Sequence, residues 1–270
     1  MIDYKIVFSD IDGTLLNKDR ELSPATIQAI KKLKNRIPFI LISARMPAAM
    51  RHLQKKLEIE DLPIISYNGG LVLVNNQVKS STEIPLEIVE GLATWNTSLN
   101  THLSLYNNDE WFVPQMDYWA TRELNNTKVT PLISSNSEVI KNWKTNGKGA
   151  HKIMAMGEVN NIEKIISFLE TNFPGQLHLY RSKDTYLEIA PRSISKFTAV
   201  EFLLKQHFNL STREAIAFGD NYNDVEMLKN IGYGVAVGNA RAEAREVAKI
   251  VCENSIEDGV ARILTKIFCD

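Results

Sequence analysis

The sequence predicts a doubly wound α/β fold whose mainly parallel sheet is built from both ends of the chain, with a second α/β domain inserted between them. Two observations carry this expectation. Short apolar runs alternate with helical patterns from the N-terminus to Tyr67, the signature of a parallel sheet with crossover helices, and the same alternation returns after Pro191. Between these stretches, from about Ile84, the chain takes on a mixed α/β pattern of its own. At 270 residues and 44% hydrophobic content there are enough apolar side chains for one large core or two smaller ones.

Taken in order, the first strands are expected at Lys5 to Ser9, Phe39 to Ser43 and Ile64 to Tyr67. Between the first two, Ser23 before Pro24 reads as a helix cap and first helical residue, and Ile27, Ile30 and Leu33 recur at helical spacing. A second crossover helix is expected from Pro47 to Leu57. Asn68-Gly69-Gly70 reads as a turn, and Leu71 to Val74 with Gln77 to Lys79 as a hairpin. The middle part offers an amphipathic stretch at Leu86 to Leu99, strands near Leu103 to Tyr106 and at Lys152 to Met156, and a helical pattern at Ile162, Ile165, Ile166 and Leu169. A strand pair, Leu177 to Arg181 and Thr185 to Ala190, ends it; Asn125-Asn126-Thr127 and Thr145 to Gly149 read as polar loops. The expected division is a core from 1–83 and 188–270 with an inserted domain at 84–187. In the last part, helices at Lys196 to Gln206, Asp224 to Asn230, Ala240 to Val247 and Val260 to Phe268 alternate with strands at Ala215 to Phe218, Tyr233 to Val237 and Ile250 to Cys252.

Composition narrows the function. The 31 basic and 32 acidic residues are interspersed and nearly cancel, so no broad basic face for nucleic acid is expected. Cys252 and Cys269 suggest neither a disulfide framework nor zinc spacing, which suits a reducing cytoplasm. The start Met1-Ile2-Asp3-Tyr4-Lys5 lacks a basic segment followed by an apolar one, and no run of about 18 apolar residues occurs, so neither export nor membrane spanning is expected.

Asp10 and Asp12 stand one residue apart directly after the apolar run Ile6-Val7-Phe8. In an extended chain residues i and i+2 share a face, so both are expected to emerge together where a buried strand ends, with Gly13 turning the backbone away. Adjacent carboxylates repel and resist desolvation, so a cation, a proton or both belong beside them, the layout of a phosphoryl-transfer site. A second acidic group, Gly219-Asp220-Asn221-Tyr222-Asn223-Asp224, follows the apolar run Ala215 to Phe218. Sites of open parallel sheets lie beyond the carboxyl ends of the strands, so Asp10, Asp12 and Asp220 are expected to converge. Oxygen-only ligands suit magnesium, and the lack of histidine or cysteine near either cluster argues against zinc or copper. Ser43-Ala44-Arg45 ends a strand where a helix begins, a favourable place for a phosphate. Lys196 opens a helix after Ser195, where its ammonium can neutralise phosphate charge.

In order, DIDGTLL at 10–16, SAR at 43–45, the lysine of SISK at 196, and GDNYND at 219–224 followed by Met227-Leu228 resemble the motifs of the haloacid-dehalogenase-type hydrolases, specifically the Cof-type phosphatases with a type IIB cap. Val237-Gly238-Asn239-Ala240 is similar to the family's ending. The resemblance implies a Rossmann-like core with a cap domain, Asp10 as nucleophile giving an aspartyl-phosphate, and Asp12 as general acid and then base. It implies magnesium held by Asp10, by the main-chain carbonyl of Asp12 and by Asp220, with Asp224 in support. Ser43, the Ala44 backbone, Lys196 and Asn223 would grip the phosphoryl oxygens, and Ile11 would add a backbone donor. Small phosphorylated metabolites, sugar phosphates above all, are the implied substrates, with the protein a monomer or homodimer. Trp119, Arg122, His151 and Arg181 are candidate contacts to the leaving group. Ser43 and Ala44 stand where the family more often has threonine and glycine, and Arg192 and Phe197 where it usually has glycines.

Two rivals use the same residues. A phosphotransferase or mutase would pass the phosphoryl group to a sugar hydroxyl, and a receiver-like regulator would hold it without turnover. Blander readings stand beside the chemical ones. The acidic pair alone could be a solvated turn, Asn68 either orients Asp12 or makes its turn, Arg45 pairs with an acidic neighbour, and the tryptophans fill the inserted domain's core.

Overall fold

A computed structural model describes residues 3–34 and 36–268; Cys269, half of the cysteine argument, lies outside them. The chain divides into two compact units, Met1–Ser80 with Ser195–Asp270, and Ser81–Ile194. The first unit opens with β1 (Ile6–Asp10), α1 (Pro24–Leu33), β2 (Phe39–Ile42), α2 (Ala48–Leu57) and β3 (Ile64–Ser66). Every residue of these strands is buried, as a parallel sheet covered on both faces requires. Ser23 caps α1, its hydroxyl accepting from Thr26 N at 3.0 Å, and Pro24 sits in the first turn, where its missing N–H has no partner to lose. β4 (Leu71–Val74) and β5 (Gln77–Ser81) are joined by Asn75 and Asn76, both left-handed at φ 51° and 59°, the conformation of a two-residue type I′ turn.

The second unit runs α3 (Leu86–Asn96), β6 (His102–Asn107), β7 (Glu110–Val113), α4 (Tyr118–Thr127), β8 (Leu132–Ile133), α5 (Asn136–Asn146), β9 (Lys152–Met156), α6 (Val159–Asn172), β10 (Leu177–Lys183) and β11 (Tyr186–Pro191). Its sheet has the order β10-β11-β9-β6-β7-β8. Leu103, Leu105, Ile153, Ala155, Leu187 and Ile189 pack with residues of α3, α5 and α6 in one apolar core. The unit departs from the sequence expectation in several places, β7 and β8 having no counterpart in it. Asn125-Asn126-Thr127 is the last turn of α4, a helix whose start is fixed by the Asp117 carboxylate accepting from Ala120 N and which buries Ala120 alone, too little for an apolar stripe to show. α5 takes in Thr145 and Asn146, the start of the loop expected at Thr145 to Gly149, and has no counterpart in the sequence expectation, although Ser135 and Glu138 form a reciprocal capping box at its start. The boundary expected at 187/188 falls inside β11, which pairs with both β9 and β10 and so stays in the second unit's sheet.

The first unit resumes with α7 (Lys196–Leu203), β12 (Ala215–Gly219), α8 (Val225–Asn230), β13 (Tyr233–Ala236), α9 (Ala242–Val247), β14 (Ile250–Val251) and α10 (Gly259–Phe268). Its sheet has the order β14-β13-β12-β1-β2-β3-β4-β5, parallel from β14 through β3, with β4 antiparallel to β3. β1 lies between β2 and β12, Val7 standing opposite Phe39 on one side and Ile216 on the other. The chain therefore winds outward in both directions from β1, which makes the carboxyl end of that strand the topological switch point. Among the described residues no helix is long and apolar enough to cross a membrane.

Candidate active site

β1 ends at Asp10, β2 just before Ser43, and β12 just before Asp220, so parallel pairing delivers all three to one edge of the sheet. There Lys196 Nζ lies 2.6 Å from Asp10 Oδ1 and 2.7 Å from Asp224 Oδ1, with no exposed side-chain surface. Burial opposes its charge, but Asp10 and Asp224 outweigh burial and push its pKa up, so the ammonium stays charged. Asp224 Oδ2 accepts from the backbone N–H groups of Asp220 and Asn221, each at 3.0 Å, so one carboxylate ties the lysine to the acidic loop. Thr14 Oγ1 donates to Asp220 Oδ1 at 3.0 Å.

Asp10, Asp220 and Asp224 each offer one oxygen, and these three lie within 4.8 Å of one another. Facing a single ammonium, they leave the cluster short of positive charge. Burial first, then the Asp224 charge, pushes Asp220 up to about 6. Asp10 is raised as well, by burial against the pull of Lys196, with Asp224 and Asp220 adding repulsion. An oxygen-only donor set with this deficit fits a hard divalent cation.

Asp12 lies just beyond the strand. The strand stops at Asp10, and the Ile11 carbonyl then accepts from Leu15 N at 2.9 Å and Leu16 N at 3.2 Å, closing a turn in which Gly13 adopts φ 85°. The Asp12 carboxylate meets Arg45 and Arg20 through three hydrogen bonds of 2.7 to 3.0 Å. Partial burial works to raise its carboxyl, but Arg45 and then Arg20 outweigh that and hold it below the usual carboxylate range.

Ser43 is buried at the end of β2, its hydroxyl accepting from Arg45 N at 3.2 Å across Ala44, and its carbonyl accepts from Asn68 N at 2.9 Å. Asn223 Nδ2 donates to Asn68 Oδ1 at 2.8 Å. Direct contacts thus join Lys196 to Asp10 and Asp224, while Ser43 and Asn223 both meet Asn68. Sequence reasoning passed over Thr14, inside the DIDGTLL stretch, and Arg20, whose left-handed backbone at φ 60° nothing in the local sequence announces. It quoted Asn239 only as part of a pattern; its Nδ2 donates to the Gly13 carbonyl and its Oδ1 accepts from Ser255 N, both at 2.8 Å.

In the second unit the four leaving-group candidates divide. Trp119 packs edge-on against Tyr186 at 5.5 Å, and the Arg122 guanidinium lies over the same ring at 5.3 Å. Arg181 is tied to Glu163 and to the Asp184 carbonyl. His151 is buried, with Nε2 3.0 Å from Ser81 Oγ and Nδ1 accepting from Asn108 N at 3.1 Å. Those last two are committed within the unit.

The sequence profile of the haloacid dehalogenase-like hydrolases matches residues 7–264. A Haemophilus influenzae protein is 37% identical over 273 residues, spanning 98% of each chain. The 5-amino-6-(5-phospho-D-ribitylamino)uracil phosphatase YitU of Bacillus subtilis is 26% identical over 274 residues, spanning 97% of each. Among solved structures, a haloacid dehalogenase-like hydrolase from Bacteroides thetaiotaomicron superposes with a TM-score of 0.89 at 26% identity, covering 98% of this chain and 100% of that one.

Proposed function

Because this chain belongs to the haloacid dehalogenase-like hydrolases, in their Cof-type branch, and is a phosphatase, we propose that it hydrolyses phosphate monoesters of small metabolites, sugar and polyol phosphates above all, with magnesium and through a phosphorylated Asp10. One observation carries the reading: a buried Asp10 oxygen stands within 4.8 Å of oxygens of Asp220 and Asp224, while Lys196 holds Asp10 Oδ1 at 2.6 Å. The Bacillus relative, whose name describes a phosphorylated ribityl chain as substrate, supports the polyol preference.

In the first step Asp10 attacks phosphorus; its O–P bond forms as the ester P–O bond breaks, and Asp12, having taken up the proton of the monoanionic phosphate ester, gives it to the departing oxygen. In the second, water attacks phosphorus, Asp12 takes its proton, and the Asp10–phosphorus bond breaks to release inorganic phosphate. Lys196 keeps the nucleophile oriented and offsets charge, while Ser43, the Ala44 and Ile11 backbone and Asn223 hold the phosphoryl oxygens. Asp10, Asp220 and the Asp12 carbonyl would hold magnesium, with Asp224 behind them, and the ion would supply positive charge against those oxygens. From the second unit, Trp119 and Arg122 remain candidates for contacting the organic group. The receiver-like alternative falls with membership of a hydrolase family.

The test is a panel of hexose, pentose and pentitol phosphates in ¹⁸O-labelled water, with magnesium and again with a chelator. Release of phosphate carrying solvent oxygen, lost in chelator, is the expected result. Phosphoryl transfer to sugar hydroxyls without solvent oxygen would install the phosphotransferase reading, and undiminished hydrolysis in chelator would remove the metal.

A further inference from the structure

Between β3 and β4 three successive residues are left-handed, Tyr67 at φ 51°, Asn68 at 55° and Gly69 at 101°, and the two that carry side chains are buried. That region suits glycine and is tolerated by asparagine, so a buried tyrosine beside them shows that the surroundings dictate the path of this loop. Tyr67 N donates to the Arg45 carbonyl at 3.2 Å, and Asn68 N to the Ser43 carbonyl at 2.9 Å. Gly69 has no room for a Cβ, which would lie 2.2 Å from the Ser195 carbonyl oxygen, directly before Lys196. Asn68 Oδ1 accepts from Asn223 Nδ2 at 2.8 Å, across 155 positions of sequence. One loop therefore touches the segments that carry Ser43, Lys196 and Asn223, three of the groups assigned above to the phosphoryl oxygens.

The contact with Asn223 has a chemical consequence. An asparagine amide carries two N–H donors on one side and an acceptor on the other, and half a turn exchanges them. An acceptor at Asn68 selects the orientation that brings Asn223 Nδ2 toward it, leaving the second N–H of the same nitrogen for an anion. Reversed, Asn223 would offer an oxygen, which repels a phosphoryl group. The sequence alone left Asn68 between orienting Asp12 and making the turn; it makes the turn, at φ 55°, and its side-chain oxygen meets Asn223.

We propose that Asn68 is a positioning residue for phosphoryl binding, acting through Asn223 by fixing that amide as a donor; the inference rests on the assignment of Asn223 to the phosphoryl oxygens. Glycine is the informative replacement, because it keeps the left-handed backbone while removing the acceptor. The experiment compares the intact protein with Asn68→Gly, Asn223→Ala and the double variant. It reads kcat and KM for p-nitrophenyl phosphate, the inhibition constant of orthovanadate, and the thermal midpoint of each protein. Asn68→Gly is expected to raise KM and the vanadate constant roughly tenfold, the effect of one hydrogen bond to a charged group, with a smaller change in kcat and an unchanged midpoint. In the Asn223→Ala background it is expected to add nothing. Unaltered constants in Asn68→Gly beside weakened ones in Asn223→Ala would overturn the positioning role and leave the Asn223 assignment standing. An Asn68→Gly effect of equal size in both backgrounds would overturn it too. Unaltered vanadate binding in Asn223→Ala would remove the assignment itself, and the inference with it.

Discussion

Arg45 grips Asp12 with one edge of its guanidinium, Nε donating to Oδ2 and Nη2 to Oδ1, each at 2.7 Å. The fork is itself anchored, with Nη1 on the Ala49 carbonyl at 3.3 Å and only 9% of the side chain exposed. Held this way, Asp12 is ionised, the form that takes a proton from water in the second step. Lysine cannot reproduce a planar two-point grip. Arg45→Lys is therefore expected to lower kcat for a sugar phosphate about tenfold or more while moving KM much less, as steady-state kinetics would read. An unchanged kcat would show that the grip is dispensable.

Asp10→Asn should abolish turnover, by at least roughly a thousandfold, because an amide oxygen is a poor nucleophile toward phosphorus. Stability should move the other way. The change removes one carboxylate from beside Asp220 and Asp224, while Lys196 keeps its 2.7 Å contact with Asp224. In chelator the denaturation midpoint of the variant is expected to equal or exceed that of the parent; a lower midpoint would mean that the Asp10–Lys196 pair outweighs the repulsion.

Gly13 is where the turn leaves no alternative. It sits at φ 85°, and a Cβ there would stand 2.4 Å from Asp220 Oδ2. Gly13→Ala is expected to cost about 1–3 kcal/mol and to displace Asp220, so circular dichroism melts and activity should fall together. A variant with parental stability and turnover would contradict the packing described.

The apolar run Ile6-Val7-Phe8 and the acidic residues after it announced β1 and its functional end because a doubly covered parallel strand has no polar alternation to obscure it. The same held for β12 and Asp220. Asp12 lies in the turn after the strand, which ends at Asp10, so strand alternation alone does not fix its partners. Partnerships such as Asn68 with Asn223, or Arg20 with Asp12, depend on which loops the sheet brings together and leave no periodic trace. In the second unit α4 buries Ala120 alone, and both nitrogens of His151 meet partners set by tertiary packing, so neither could be read residue by residue.

If the acidic cluster holds magnesium, the ion should stabilise the folded protein by RT ln(1 + [Mg²⁺]/Kd), about 2.7 kcal/mol at a hundredfold excess over Kd. Calorimetry with and without chelator would show the shift. Asp220→Ala should erase it, since that side chain supplies one of the clustered oxygens. Asp12→Ala should retain it, because the main-chain carbonyl survives the substitution. A shift that persists in Asp220→Ala would remove that residue from the cation site.

His151 gives the second unit a dependence on acid. Burial lowers its pKa to about 4, against the opposing pull of Glu83, whose Oε1 lies 3.9 Å from Nε2. Nδ1 already accepts from Asn108 N, so Nε2 carries the ring proton and donates to Ser81. The unfolded chain, with an ordinary histidine near 6.5, binds more protons than the folded one between pH 6.5 and about 4. Stability from this site is therefore complete above that window and is lost as pH falls through it, by about 3 kcal/mol in all. Trp95, Trp111, Trp119 and Trp143, the four tryptophans of the chain, all lie in the second unit, so intrinsic fluorescence reports its unfolding directly. His151→Gln should lower the urea midpoint at pH 7.5, by leaving the Asn108 N–H without its acceptor, yet lose less than the parent on going to pH 5. A gap between variant and parent that stays constant over that range would exclude His151 as the titrating group.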